Sequence, residues 1–204
     1  LITGVTWNGV AMTQLSGTQF TSTDSGSDNS DRTDIWYLIA PDVGTYNLIA
    51  TFDGTSTASG LGGMSFYNAD QTTGMQSGTG NQGDGSEPTM DITPTTSGSI
   101  IVAHLSGTST IGVISGATQT YTNGVNAILR GGHNLTPTIG SANTVTWTTS
   151  AVEFAMSGAE VLALPDTVLD YSGDDNHGTV TKASPYYDIT TGGAVISTKD
   201  VSAQ

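Results

Sequence analysis

Apolar and polar side chains alternate along much of the chain with a period of two residues. The clearest case covers residues 45–52, where the apolar side chains share one face of the predicted strand, at Tyr46, Leu48, Ala50 and Phe52. Period-two alternation is typical of a half-buried β-strand, and no stretch longer than about ten residues keeps helical periodicity. Turn-forming residues recur about every 8–12 positions, which is the spacing of sandwiches and barrels. The pattern therefore predicts an all-β fold, an antiparallel β-sandwich of jelly-roll or immunoglobulin-like type.

The first predicted element is a hairpin over residues 1–15 with Asn8-Gly9, a strong hairpin signal, at its turn. A strand over 35–40, a turn over 41–44 and a returning strand over 45–52 form a second predicted corner. Residues 68–88 contain almost no apolar side chains and are predicted to be a long loop, which in compact domains is usually functional or mobile. Further strands are predicted at 64–67, at 100–105, within 109–130, and at 144–149, 151–156 and 160–164, with a loop over 131–143.

The composition supports a folded β-protein in two parts. Hydrophobic residues make up 35% of the 204 residues and charged residues only 11%. Most of the remaining residues are Thr, Ser, Gly and Asn. Most disordered chains instead combine low hydrophobicity with high charge. Core residues become sparse and charges denser after Leu164. We therefore predict a β-sandwich domain over 1–164 and a C-terminal arm over 165–204, which is too short to be stable alone and should dock on this domain, a neighbour or a following module.

The charge balance excludes several classes of partner. The formal net charge is −14, with four basic side chains, at Arg32, Arg130, Lys182 and Lys199. These are too few for nucleic acid or for an anionic membrane surface, and the acidity favours solubility or a salty or extracellular medium. There is no cysteine for disulfide or thiolate chemistry, and no apolar stretch approaches the length that would insert into a membrane. Because the first residue is Leu and no signal peptide is visible, we expect a processed chain or part of a longer one.

Residue types used in catalysis are few. The three histidines lack metal-ligand spacing, and His104, between two apolar residues of a predicted strand, is expected to be a packed or half-exposed strand residue rather than a ligand. A Ser-His-Asp arrangement is compatible with the composition, but no G-x-S-x-G elbow is present. The residues therefore predict a protein that is not an enzyme, with a hydrolase as the last of three hypotheses.

Carboxylates gather in two polar stretches. One contains Asp24, Asp28 and Asp31, and the other contains Asp174 and Asp175. Calcium prefers six to eight oxygen ligands in such loops, although neither stretch has EF-hand spacing. Calcium is therefore the one possible cofactor, and the alternative interpretation is a pair of solvated turns.

Aromatic and glycosylation signals suggest surface roles at a few positions. All three tryptophans fall within predicted strands and should pack in the core: Trp7, Trp36 and Trp147. Tyr67 and the pair Tyr186-Tyr187 are better candidates for an outer surface. Asn134, in the tripeptide Asn-Leu-Thr, matches the N-glycosylation acceptor pattern.

Three stretches, "VTWNGVAMTQL", "DRTDIWYLIAPDVGTYNLIATFDG" and "NTVTWTTSAVEFAMSGAEVLAL", together resemble a β-sandwich module of secreted bacterial proteins and phage virion proteins. The resemblance covers roughly residues 3–164 and matches that module's pattern at Val5, Trp7, Gly9, Val10, Met12 and Thr13, at Arg32, Asp34, Ile35, Trp36, Tyr37, Leu38 and Pro41, and at Val145, Thr146 and Trp147. It implies the sandwich fold, and the module carries no catalytic signature. Residues 170–180, "DYSGDDNHGTV", are similar to the opening of laminin-G/concanavalin-like modules, which need well over a hundred further residues.

The leading functional hypothesis is a non-enzymatic structural protein, extracellular or on a virion surface, that works by symmetric assembly as a capsid decoration, spike, tail-associated or filament subunit. Its partners would be copies of itself or other virion or surface proteins. The residues expected to mediate assembly lie in the first hairpin and in the arm, at Leu1, Ile2, Val5, Tyr186, Tyr187, Ala194 and Ile196. The alternative is a carbohydrate-binding or adhesion module that binds a glycan, with or without calcium, through loops 68–88 and 24–31 and Tyr186-Tyr187.

Overall fold

A computed structural model describes residues 1–22, 31–54, 59–107, 111–124, 128–149 and 152–164, and the backbone of three short strands beyond them. All of its regular elements are β-strands: β1 Ile2–Trp7, β2 Val10–Ala11, β3 Thr13–Gln14, β4 Phe20–Thr21, β5 Arg32–Thr33, β6 Trp36–Tyr37, β7 Leu48–Phe52, β8 Phe66–Tyr67, β9 Met75–Gly85, β10 Thr89–Ile92, β11 Ile100–Gly107, β12 Ile111–Ser115, β13 Thr118–Gly124, β14 Ile128–Asn134, β15 Asn143–Thr149, β16 Val152–Val161, β17 Thr167–Val168, β18 Gly178–Thr179 and β19 Tyr186–Tyr187. In these ranges no helix is long and apolar enough to cross a membrane.

The centre of the molecule is an antiparallel five-stranded sheet in the order β13-β14-β11-β16-β9. Every residue of β11 is buried, as is every residue of β16 from Glu153 to Val161. A strand buried on both faces requires a layer on each side of the sheet. The structure supplies both layers.

One face of the central sheet packs on a three-stranded sheet in the order β10-β15-β12. The core between the two sheets is apolar throughout and consists of Met90, Ile92, Ile101, Ala103, Leu105, Ile111, Val145, Trp147, Phe154 and Met156. Outward-facing threonines of β15 alternate with Val145 and Trp147, as expected for a sheet with one solvated face. This pair of sheets confirms the predicted antiparallel β-sandwich.

The other face of the central sheet is covered by the N-terminal part of the chain. Leu15, Ile35 and Met64 from this cover pack with Met75 and with apolar residues of β11 and β16 in a second cluster. A further three-stranded sheet, β2-β1-β7, has its own cluster, made of Ile2, Val5, Trp7, Met12, Trp36 and Leu48. The molecule therefore has three layers, and the first residues fold as a cover on the sandwich.

Several predicted elements are confirmed. The hairpin turns at Asn8-Gly9, whose φ angles of 51° and 77° are those of a type I′ turn. In β7 and the residues before it, the even-numbered side chains from Tyr46 to Phe52 are buried or half-buried and the odd-numbered ones are exposed. The core strand at 100–105 and the three tryptophans also lie in the core as predicted.

Other predictions were wrong. Most of the predicted loop over 68–88 is an eleven-residue strand, β9, which pairs with β16. The strands predicted at 35–40 and 45–52 are not hairpin partners, because β6 pairs with β3 and β7 pairs with β1. The strands predicted at 151–156 and 160–164 are one continuous strand, β16, and β14 extends into the predicted loop at 131–143.

The C-terminal arm touches the body at one described place. Within the arm, β17 pairs with β18, and β19 adds to β8 with Tyr186 opposite Tyr67 and Tyr187 opposite Phe66. The chain enters the arm at Leu164, whose N–H donates to the Asn68 carbonyl at 3.0 Å. The segment that receives the arm strand therefore adjoins the point where the arm leaves the body.

Gly9→Ala is expected to lower the free energy of unfolding by about 1–2 kcal/mol, since a side chain at φ 77° clashes with its own backbone. Gly54→Ala is the matched control, because nothing lies within 4 Å of the added Cβ and no unusual φ is required. Urea denaturation of both variants measures the difference. Equal stabilities would contradict the assigned turn.

Candidate functional site

Polar side chains form a buried layer between the central sheet and its N-terminal cover. We call this set the polar layer: His104, Ser106, Glu153 and Ser157 from the sheet, and Thr18, Ser22, Asp31 and Thr33 from the cover. His104 and Ser157 lie directly opposite each other on β11 and β16. All of these side chains except Asp31 are at least nine-tenths buried.

The hydroxyl of Ser157 sits at the middle of the polar layer. It donates to the Thr18 carbonyl at 2.6 Å and is also hydrogen-bonded to the Thr33 hydroxyl. Thr18 in turn accepts from the Ile35 N–H at 3.2 Å through its Oγ1 and donates to the Leu15 carbonyl at 2.7 Å. Ser157 therefore bonds the central sheet to the two chain segments that cover it.

A second set of hydrogen bonds holds Ser22 and Asp31 to the central sheet. Ser22 Oγ donates to Glu153 Oε1 at 2.7 Å, and the Asp31 N–H donates back to Ser22 Oγ at 2.9 Å. Asp31 Oδ1 accepts from Ser106 Oγ at 3.0 Å. Ser22 and Asp31 are thus both fastened to the central sheet, through Glu153 of β16 and Ser106 of β11.

Serine, histidine and aspartate are close together here, and each has a hydrogen-bond partner within the fold. His104 Nδ1 shares a hydrogen bond of 3.0 Å with the Tyr121 hydroxyl, while Ser106 donates to Asp31. A triad needs the nucleophile to bond the imidazole and to face a substrate. Ser157 and Ser106 are instead fully buried, and both bond groups of the cover.

Next to the polar layer, Arg32 and Asp34 form a forked ion pair. Arg32 Nε and Nη2 lie 3.0 and 3.2 Å from the two carboxylate oxygens of Asp34, which is fully buried. Gln14 Nε2 donates to Asp34 Oδ1 at 3.0 Å. One of the four basic side chains is therefore used inside the molecule.

Glu160 is a fully buried carboxylate outside the polar layer. It accepts from the Thr96 N–H at 2.8 Å, from the Thr95 N–H at 3.1 Å and from Gln76 Nε2 at 3.0 Å. It also accepts from Ser77, whose φ of 56° is unusual for a serine. Burial alone would raise the pKa of Glu160, but the hydrogen bonds from Gln76, Thr96 and Thr95 outweigh it and hold the pKa below its usual range.

The position of Glu160 explains its role. Thr95 and Thr96 lie in the connection that crosses from β10 in one sheet to β11 in the other. Ser77 and Gly78 form a bulge on β9 opposite the single residue Ala159. Glu160 therefore fastens the sheet crossing and the bulge to the central strand.

Both described histidines are buried and hydrogen-bonded to side chains of β13. His133 Nδ1 lies 2.7 Å from the Thr120 hydroxyl, and burial lowers the pKa of His133. His104 is packed in its strand, as predicted. His177 lies outside the described residues.

Of the predicted calcium ligands, only Asp31 lies in the described part of the chain, where it bonds Ser106. Asp24, Asp28, Asp174 and Asp175 lie outside it. Within the described ranges, no three His, Cys, Asp or Glu side chains come together in a way that could hold a metal ion. Calcium binding stays a prediction.

The predicted assembly residues fall into three groups. Leu1 is 64% exposed, and its ammonium pairs with the Asp53 carboxylate, whereas Ile2 and Val5 are buried in the chain's own core. Tyr186 and Tyr187 form β19. Ala194 and Ile196 lie outside the described residues.

The surface positions are placed as follows. Tyr67 is 37% exposed and belongs to the strand that pairs with β19. Asn134 is the last residue of β14, where its Nδ2 donates to the Gly116 carbonyl at 3.2 Å and its Oδ1 accepts from the Thr136 N–H at 2.9 Å. Its use as a glycan acceptor stays a prediction.

Ser157→Ala is expected to lower the free energy of unfolding by about 1–3 kcal/mol, because the Thr18 carbonyl and the Thr33 hydroxyl lose a buried partner. Ser115→Ala, at an exposed position in β12, is the control and should change stability by less than about 0.5 kcal/mol. Thermal unfolding of both variants compares them. An unchanged Ser157→Ala variant would show that the polar layer does not hold the cover.

No protein-family model, curated protein or solved structure matches this chain.

Proposed function

We propose that this chain is a non-enzymatic structural protein that works outside a cell or on a virion surface, as a decoration, spike, tail-associated or filament subunit. The observation that carries the proposal is the pairing of β19 with β8. The C-terminal arm uses strand addition, a common way for one protein segment to bind another. An arm that docks in this way is suited to joining subunits.

The internal chemistry supports a structural role. The nucleophilic and titratable side chains of the polar layer form hydrogen bonds that join the layers of the fold. Glu160, outside the polar layer, does the same for the sheet crossing. A hydrolase would need such groups at a cleft where they meet a substrate. Their burial instead gives a rigid, layered body.

The surface and the sequence resemblance support the setting. A net charge of −14 keeps a crowded, repetitive surface soluble. Residues 3–164 resemble a sandwich module of secreted bacterial and phage virion proteins, and this resemblance is the ground for an extracellular or virion location. The glycan-binding alternative relied on a loop over residues 68–88, and residues 75–85 of this stretch form β9 instead.

The test is the mass of the purified protein by light scattering over a range of concentrations. We expect the full chain to form a defined oligomer or filament, and we expect both a chain ending at Leu164 and a full-length Tyr186→Pro variant to be monomers. Proline removes a backbone N–H and disfavours the β19 pairing while leaving the length unchanged. A full chain that stays monomeric at every concentration would overturn the proposal, and a melting temperature that also rises with calcium or glycans would favour a binding module.

A further inference from the structure

The segment from Phe66 to Asp70 makes two separate backbone contacts with later parts of the chain, one with residues 162–163 and one with β19. Ala69 bridges Ala163, and the Asp70 N–H donates to the Leu162 carbonyl at 2.9 Å. One step earlier in the segment, Phe66 and Tyr67 pair with β19. Both partners run antiparallel to the segment.

The stretch between these two contacts, residues 165–185, is much longer than is needed to bring β19 back to β8 of the same chain. The chain leaves the body at Leu164, beside Asn68, and the arm strand returns to the adjacent Tyr67. Because β17 pairs with β18 inside this stretch, only the residues on either side of that pair, 164–167 and 179–186, can extend, and at roughly 3.3 Å per residue they span about 35 Å. This length is still enough for β19 to pair with β8 of a second copy that lies beside the first.

Pairing in one chain and pairing between two chains make identical contacts, so local concentration and linker entropy decide between them. The pairing has only two residues on each side, and an aromatic cross-strand pair contributes about 0.2–1 kcal/mol. An intrachain contact this weak does not lock the arm onto its own body, so the arm can exchange where neighbours are held at a high local concentration, as they are in an assembly. In an oligomer with closed symmetry this pairing forms once for each subunit, so several weak contacts hold the assembly together.

The receiving strand also suits an approach between acidic molecules. Two copies that each carry a net charge of −14 repel one another. The stretch from Ser65 to Asn68 is uncharged, Phe66 packs against the second core cluster, and Tyr67 is partly exposed. A partner strand bearing two tyrosines meets no like charge in this stretch.

We infer that in the assembled protein the strand Tyr186–Tyr187 of each subunit pairs with Phe66–Tyr67 of a second copy, so that the arm is exchanged between neighbours. This inference rests on the proposed structural function and names the interface through which it operates. The partner is the same chain, and the register is that of the β8–β19 pair.

The absence of cysteine from the sequence allows a direct test. Full-length Tyr67→Cys and Tyr186→Cys variants each carry a single thiol, at positions that face each other in the register. We expect the two variants, mixed and mildly oxidised, to form a disulfide-linked dimer well above the level of either variant alone. The double variant should likewise give covalent dimers on a non-reducing gel.

The control uses Thr6→Cys and Ala11→Cys, which are opposite each other in the hairpin of one chain. Their mixture should form no heterodimer, and their double variant should form only an intrachain bond. If Tyr67→Cys/Tyr186→Cys gives only an intrachain bond, or none, while light scattering still finds an oligomer, the exchange is overturned and the assembly proposal stands. If the protein is also a monomer, both are overturned.

Discussion

Glu160→Gln is expected to lower the free energy of unfolding by about 2–4 kcal/mol. The carboxylate accepts hydrogen bonds from Thr95, Thr96, Gln76 and Ser77 in a fully buried position. A carboxamide carries no charge and turns one NH₂ group toward these donors, so charge-assisted bonds are lost and donors are left unpaired. Urea denaturation measures the loss. Glu87→Gln, at an exposed glutamate, is the control and should have little effect.

The same site predicts a dependence on pH. Because the pKa of Glu160 in the folded protein lies below its ordinary value of 4.5, its contribution is fully present above pH 4.5 and is lost as pH falls through the lowered pKa. The difference in stability between the natural protein and Glu160→Gln should therefore shrink on acidification below about pH 4.5. A difference that stays constant down to pH 3 would show that the charge of Glu160 does not contribute.

Trp147→Ala is expected to lower the free energy of unfolding by about 3–5 kcal/mol. Trp147 is fully buried between the two sheets of the sandwich, and its removal leaves a large cavity in a close-packed core. The measurement is denaturant unfolding with circular dichroism, because the other tryptophans complicate fluorescence.

Trp147→Phe is the informative companion to this variant. The indole Nε1 of Trp147 has no hydrogen-bond partner among the described residues, so its burial already carries a cost. Phenylalanine removes that N–H while keeping most of the apolar surface. The decrease in the free energy of unfolding for Trp147→Phe should therefore be less than half the decrease for Trp147→Ala. A phenylalanine variant as unstable as the alanine variant would mean that the shape of the indole dominates.

Strands with apolar alternation were predicted from the sequence because the positions of their apolar side chains identify the buried face. The face assignments in 45–52 and the core strand at 100–105 were confirmed. The partners of these strands were not predictable in the same way. Two neighbouring strands joined by a turn suggest a hairpin, but β7 pairs with β1 in a separate sheet, and its apolar face packs in the cluster of that sheet.

The strand β9 could not be found from apolar alternation. Its sequence, MQSGTGNQGDG, has one large apolar residue, and the strand is held by its ladder to β16. Glycine is required where the cover comes close, since a side chain at Gly78 would meet the Ser16 carbonyl and one at Gly80 would meet the Phe20 ring. These are tertiary contacts, so intrinsic strand preference does not reveal them.

The polar site residues were missed for a related reason. Glu153 and Glu160 were read as ordinary members of predicted strands, although a glutamate within an apolar strand is itself a signal that a carboxylate is buried with partners. Their partners come from segments up to 131 positions away in sequence, as between Ser22 and Glu153. The sequence could indicate that such partners exist but not which residues they are.

The burial of β16 between two neighbours has a mechanical consequence. The arm begins just after β16 ends, so if subunits are joined through their arms as proposed, a pull on the arm passes through Leu164 into this strand. β16 is hydrogen-bonded along most of its length to β11 on one side and to β9 on the other. A load along the strand axis is thus shared in shear by two ladders, whereas an edge strand at the same place could be peeled off one bond at a time.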